Sequence, residues 1–300
     1  MKNLLTGRLC HLFISALIFS ISPLSLAEMT VYTAKLIRTM EAAIPEATAV
    51  AVEEGRIVAV GSLKSLQPVI ALRGAKIDRQ FEDRIILPGF IDPHVHPTLP
   101  AVLTQFPFIA PDDWSLPTGE FPAATTPEAY RDRLQELAAE HTDTSVPFIT
   151  WGYHPLWHGE IWREDLNQWF GDQPVIIWHR SFHEIIGNDA AFDYLNLTEA
   201  DLADIHEGNW ARGHYYEGGL KALASAMTFL FEPARFAGGM ANFLKMMHQA
   251  GVTTVLDMGI GIFGDPTGEI ALIRQVAEAA AVPSRIILTP LILDFMARGQ

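Results

Sequence analysis

The sequence predicts an α/β chain in which a β-rich N-terminal piece precedes a TIM-type β/α barrel, incomplete within these 300 residues, and three observations predict it. From Ile85 onward, short apolar runs alternate with segments of helical period, the pattern of a parallel sheet with covering helices. His94 and His96 close one apolar run, and barrel active sites collect at strand ends. Before Ile85 the pattern is that of hairpins, expected to form a piece of a β-sandwich. A doubly wound sheet is the alternative, set aside on the reading that the chain carries no glycine-rich phosphate loop of the G-x-G-x-x-G or G-x-x-x-x-G-K type. The expected divisions are residues 1–27 as signal peptide, 28–84 as sandwich piece and 85–300 as the first part of the barrel.

The N-terminus sets the compartment. Lys2 and Arg8 lead into a mostly apolar stretch from Leu9 to Leu26, and Ser25-Leu26-Ala27 is a small-x-small cleavage site before Glu28. A membrane anchor is the competing reading, and Pro23 and the short apolar core favour cleavage. The protein is therefore expected in the periplasm or outside the cell, with no stable membrane anchor after cleavage. The single cysteine, Cys10, falls inside the signal, so the mature chain forms no disulfide. Loss of Lys2 and Arg8 leaves 19 of the 21 basic residues against 35 acidic ones, moving the formal net charge from −14 to −16. That charge disfavours nucleic acid and anionic membranes as partners and leaves a small-molecule substrate.

The elements follow in order. Thr30–Ala34 and Thr48–Val52 read as strands, Glu54-Gly55 as a turn, and Arg56–Gly61 as the returning strand. Thr126-Pro127 opens a helix carrying Tyr130, Leu134, Leu137 and His141 at helical spacing. Phe148–Trp151 and Val175–Trp178 are short buried strands. Thr198 caps a short helix with Asp201 at the capping-box position. Pro233–Ala250 is a helix ended by Gly251, Val252–Asp257 a strand, Glu269–Ala281 a helix, and Arg285–Leu291 a strand.

The chemistry begins at Ile85-Ile86-Leu87-Pro88-Gly89-Phe90-Ile91-Asp92-Pro93-His94-Val95-His96. Alternation along a strand puts His94 and His96 on one face, and two imidazoles at a strand end are half of a metal site. A bare His-x-His is more often a hydrogen-bonded pair, but the whole string is far more specific.

That string resembles the metal-binding signature of the amidohydrolase superfamily, and the chain after the signal is similar throughout to amidohydrolase family 3. Ala49–Gly61 resembles the family's sandwich hairpin. Pro174–Trp178 leading to His183 and Asn188, Gly213–Glu217, and Ala250–Asp257 resemble further ordered segments. The resemblance implies a hydrolase of carbon–nitrogen bonds, of the non-peptide amide type, using water activated by one or two divalent metals, expected to be zinc. His94 and His96 would be metal ligands, with Asp92 orienting an imidazole or capping the strand end. Glu217 would be a carboxylate ligand, with Lys221 as the alternative. His183 would contact substrate, with Asn188 fixing the turn, and Asp257 is a further candidate at a strand end. His154, His158 and His179 lie in aromatic stretches that suit a pocket wall, and Trp151 to Trp169 hints at an apolar or aromatic substrate group.

The family's late metal ligands and general base are not present. Only His248 follows His214, with no Gly-Asp after it, and about five strands are countable after Ile85 where a closed barrel needs eight. The chain is therefore expected to be a fragment of a longer enzyme, inactive alone. The rival is a catalytically inactive short relative used for binding or assembly.

Overall fold

The computed structural model describes residues 28–261, 266–280 and 283–290; the expected signal peptide lies outside them. The chain divides between Pro88 and Gly89 into two units.

The first unit is one four-stranded sheet with a helix on one face. Its strands are β1 (Thr30–Arg38), β2 (Glu46–Glu53), β3 (Arg56–Gly61) and β4 (Lys76–Ile86), in the order β3-β2-β1-β4. The β2–β3 hairpin turns at Glu54 and Gly55, both with positive φ (49° and 71°), the backbone that a two-residue I′ turn requires. Helix α1 (Leu63–Arg73) was not anticipated. Its signal was the pair Ser62 and Ser65, which cap each other's backbone N–H. Leu66 of α1 is buried on Val31, Ala49 and Ala51, while Ala34, Ile37, Ala47 and Val50 form a separate cluster. β4 pairs with β1 in parallel and carries Ile85 and Ile86, so this apolar pair closes the first unit rather than opening the second.

The second unit holds the histidine pair. Strand β5 (Phe90–Val95) is joined in parallel to β13 (Val252–Ile260), and β13 in parallel to β14 (Arg285–Pro290). Two helices after β5 pack on this sheet's core: α8 (Pro233–Gln249), capped by the Glu232 carboxylate and ended before Gly251, and α9 (Pro266–Ala279). Leu291 and Ala281, the expected ends of the last strand and helix, fall outside the described residues. Parallel strands joined through helices agree with the predicted alternation.

The segment between departs from it. Strands β8 (Phe148–Tyr153) and β9 (Val175–His179) are parallel and fully buried. Beyond β9 the chain turns back through β10 (Glu184–Gly187), β11 (Gly208–Asn209) and β12 (His214–Tyr216), all antiparallel, giving the order β11-β12-β10-β9-β8. Among the described residues no sheet closes on itself. The antiparallel strands are two to four residues long, too short for composition to reveal.

Side chains of β8 and β9 alternate between two cores, as period-2 geometry dictates. Ile149, Trp151, Ile176 and Trp178 face one; Phe148, Val175 and Ile177 face the other, under α3 (Pro127–Glu140) and α5 (Arg163–Phe170). α3 begins as predicted, with Thr126 Oγ1 accepting the Ala129 N–H at 3.2 Å. The helix expected after Thr198 is a single 3₁₀ turn (Ala200–Leu202), in which the Asp201 carboxylate accepts the Thr198 N–H at 2.8 Å. The remaining helices are α2 (Thr98–Leu103), α4 (Pro155–His158), α6 (Asp189–Tyr194) and α7 (Gly218–Ala226), with a small hairpin of β6 (Trp114–Leu116) and β7 (Gly119–Phe121).

Candidate metal-binding cavity

The histidine pair is placed by an irregular strand end. Asp92 of β5 is level with Val255 of β13, but Val95 is level with Asp257, so one extra residue is accommodated around Pro93 and His94. Pro93 has no N–H to pair there. The Asp92 Oδ1 accepts the His94 N–H at 3.0 Å and fixes the bend. Asp92 thus braces backbone. The imidazoles still meet, with ring centroids 5.2 Å apart and planes at 84°.

His96 lines a cavity of about 380 Å³ together with Leu99, Trp178, Phe182, His183, Glu217, Leu220, Lys221, Ala224 and Ser225. Four sequence candidates, from three distant stretches, therefore share one hollow. His183 Nδ1 lies 3.0 Å from Glu217 Oε1, and the Glu217 N–H donates to the His183 carbonyl at 3.0 Å. The backbone is strained on both sides of this contact. Phe182 has φ 71°, and Glu217, preceding α7, has φ 48° and ψ −114°. Such conformations cost about 1–3 kcal/mol each and persist where the surroundings enforce them. Lys221 follows Glu217 by one turn, its N–H on the Glu217 carbonyl at 3.1 Å.

Asp257 sits behind His96 on β13. It is 1 % exposed, and its Oδ1 accepts the Gly259 N–H at 2.8 Å and stands 3.6 Å from His96 Nδ1. Burial pushes its carboxyl above the ordinary range, while the Gly259 amide and His96 oppose that rise. Both His96 Nδ1 and Asp257 Oδ2 are buried without a hydrogen-bond partner.

The remaining histidines do not line this cavity. His158 is 2 % exposed in the α3-side core, its Nε2 on the Ala124 carbonyl at 2.8 Å and its Nδ1 accepting the His154 N–H at 3.0 Å. Burial holds it down at about 4. His154 Nδ1 accepts the Leu156 N–H, and His179 Nδ1 accepts the Ser181 N–H. Burial lowers His179 as well, against the pull of Glu184. Nor do the tryptophans of 151–169 reach the cavity. Trp178 and Phe182, neither of them a sequence candidate, supply its aromatic wall, and alternation against Ile177 sets Trp178 on that face. Asn188 is buried, capping α6 through the Ala191 N–H at 3.0 Å and tying it to β9 through the Val175 N–H at 3.0 Å. A roomier hollow of about 730 Å³ on α8 and α9 is lined by no carboxylate.

The match to the amidohydrolase family covers residues 81–299. The chain belongs to the amidohydrolase family. It is 25 % identical over 247 residues to the exoenzymes regulatory protein AepA of Pectobacterium carotovorum subsp. carotovorum, across 77 % of this chain and 49 % of that protein. Its fold is similar to two crystal structures of uncharacterized metal-dependent hydrolases. One is from Pyrococcus horikoshii (TM-score 0.66, 16 % identity, 90 % of this chain and 50 % of that one). The other is from Pyrococcus furiosus (TM-score 0.62, 16 % identity, 87 % and 50 %). The chain spans about half the length of these relatives.

The family implies a divalent metal. Among the described residues no three histidine, cysteine or carboxylate side chains stand close enough together to hold one. The residues present nevertheless fit the metal as part of a site. Two imidazoles meet edge to face at a strand end, imidazole nitrogen is a common ligand for such ions, and His96 Nδ1 and Asp257 Oδ2 are left without hydrogen-bond partners.

The G-x-G-x-x-G spacing read as missing does occur in the sequence. Gly259-Ile260-Gly261-Ile262-Phe263-Gly264, whose first two residues end β13, has the spacing of a dinucleotide loop. Here Gly259 lies against the His96 ring, and the Gly261 N–H is already engaged by the Glu269 carboxylate at 2.8 Å.

Proposed function

We propose that this chain is the N-terminal part of a metal-dependent hydrolase that cleaves carbon–nitrogen bonds of the non-peptide amide type in the periplasm or outside the cell. The parallel strands β5, β13 and β14 would begin a TIM-type barrel. The observation that carries the reading is the adjacent His94–His96 pair, with His96 lining the same cavity as His183 and Glu217, in a chain of this family.

His94 and His96 would hold the metal, expected to be zinc, as one or two ions, with Glu217 as the carboxylate candidate. A bound divalent metal supplies a water of lowered pKa and polarises a carbonyl. Glu217 accepts the His183 Nδ1–H, which leaves Nε2 as the acceptor for a substrate N–H or hydroxyl. Trp178, Phe182, Leu99 and Leu220 exclude water from one side and suit an apolar substrate group. The late ligands and general base are assigned to sequence beyond these residues, so the 300-residue chain alone is expected to be inactive.

The test compares this chain with the mature protein from its native host on matched amide and ester substrates, before and after chelation. Metal-dependent amide cleavage by the host protein alone supports the reading. Turnover by the 300-residue chain would refute fragment status. The export proposal requires the host protein to begin at Glu28.

One observation favours a second reading. No three-ligand cluster forms among the described residues, and one relative is named as a regulatory protein. A metal-free, inactive host protein of unextended mass would favour a role in binding or assembly.

A further inference from the structure

His96 is held on one edge. A Cβ built on Gly259 would lie 2.4 Å from His96 Nδ1 and 2.9 Å from Cε1, so the Nδ1–Cε1 edge rests on the β13 backbone in space that only glycine leaves open. The side chain keeps 32 % of its exposure, yet Nδ1 has none. What is accessible is therefore the opposite edge, which carries Nε2. Two residues before Gly259 on the same strand, Asp257 stands 3.6 Å from that buried Nδ1. Its Oδ1 is engaged by the Gly259 N–H, and its Oδ2 has no partner. A buried imidazole nitrogen and a buried carboxylate oxygen on neighbouring side chains, both unpaired, each cost free energy until they find a partner.

We propose that Asp257 is the positioning residue for His96: its carboxylate takes the Nδ1–H, holds the ring on the Gly259 backbone, and presents an unprotonated Nε2 to the cavity. The purpose of this arrangement rests on the metal reading above, but the protonation pattern does not. A metal-binding imidazole must keep its proton on the other nitrogen, and the acceptor of that proton sets the tautomer. The Asp257-Met258-Gly259 segment supplies the acceptor and the space from one strand.

The experiment uses the full chain, metal-free, with ¹⁵N-labelled histidine. Long-range ¹H–¹⁵N spectra read the His96 tautomer, assigned with His96→Gln, and competition with a chromophoric chelator reads zinc affinity. Wild type should carry the proton on Nδ1. Asp257→Asn replaces one carboxylate oxygen beside His96 with an NH₂ donor, which should donate to Nδ1 and move the imidazole proton to Nε2. Zinc binding should weaken about 10- to 100-fold. A merely structural aspartate would leave the tautomer unchanged. Should Asp257→Asn fail to fold, Gly259→Ala keeps the carboxylate and displaces the ring, and should lose the single tautomer and weaken zinc. A wild-type proton on Nε2, or the same tautomer in wild type and variant, overturns the proposal. The predicted tautomer switch in a chain that binds no zinc upholds the positioning role and removes the metal reading instead.

Discussion

Two adjacent glycines in α8 should respond to alanine in opposite directions. A Cβ on Gly239 would lie 1.7 Å from the Ala101 carbonyl oxygen of α2 and 2.7 Å from its carbon. Backbone cannot rotate aside as a side-chain tip can, so the two helices would have to separate by more than an ångström. Gly238 meets nothing within 4 Å. Both substitutions gain the same helix propensity, about 0.5–1 kcal/mol. Only Gly239→Ala carries an overpacking cost, about 1–3 kcal/mol and at the upper end for a backbone clash. Gly239→Ala should therefore destabilise by about 2 kcal/mol and Gly238→Ala stabilise by up to about 1. For a unit of this size each kcal/mol moves Tm by about 2–4 °C, so calorimetry should show a fall of about 4–8 °C for the first and a rise of about 2–4 °C for the second. Equal effects would refute the close α2–α8 contact, and with it the docking of the helix that follows His96.

Acid should weaken the fold through His158, which burial holds at about 4 against an ordinary 6.5. The neutral folded form contributes in full above pH 6.5 and loses that contribution as pH falls towards 4, about 2 kcal/mol between pH 7 and pH 5. Urea unfolding of wild type and His158→Phe at both pH values checks it: the variant should be weaker at pH 7 and lack this part of the pH slope. Asn188→Ala should cost about 2 kcal/mol by leaving the buried Val175 amide without its side-chain acceptor, while the Ala191 amide keeps the Asn188 carbonyl, measured the same way. Glu217→Gly should relieve backbone strain and raise stability by about 1 kcal/mol, yet leave His183 Nδ1 without its partner, visible as a changed His183 ring ¹⁵N chemical shift in NMR.

The long elements were legible because their signals are local and redundant. Thr126-Pro127 announces α3 and Glu54-Gly55 the hairpin turn, and the apolar runs of β8, β9 and β13 could only be buried strands. The histidine pair was legible for a less direct reason than alternation, since its strand bends at Pro93 and His94 and the rings meet regardless. What stayed hidden depends on tertiary contact. The strands β10 to β12 exist through pairing with β9, and no short run of residues declares that. Trp178 and Phe182 line the cavity while the tryptophans of 151–169 do not, because facing is set by sheet register, which composition does not record. Gly259 reads as loop punctuation until the His96 ring is seen against it.

The most direct test of the account is the metal content of the mature protein purified from its native host, measured alongside its intact mass and repeated for His94→Ala and His96→Ala. The account predicts about one or two equivalents of a divalent metal, a mass well above that of residues 28–300, and loss of metal in either variant. A protein that is metal-free, or that keeps its metal without His94 and His96, would contradict it.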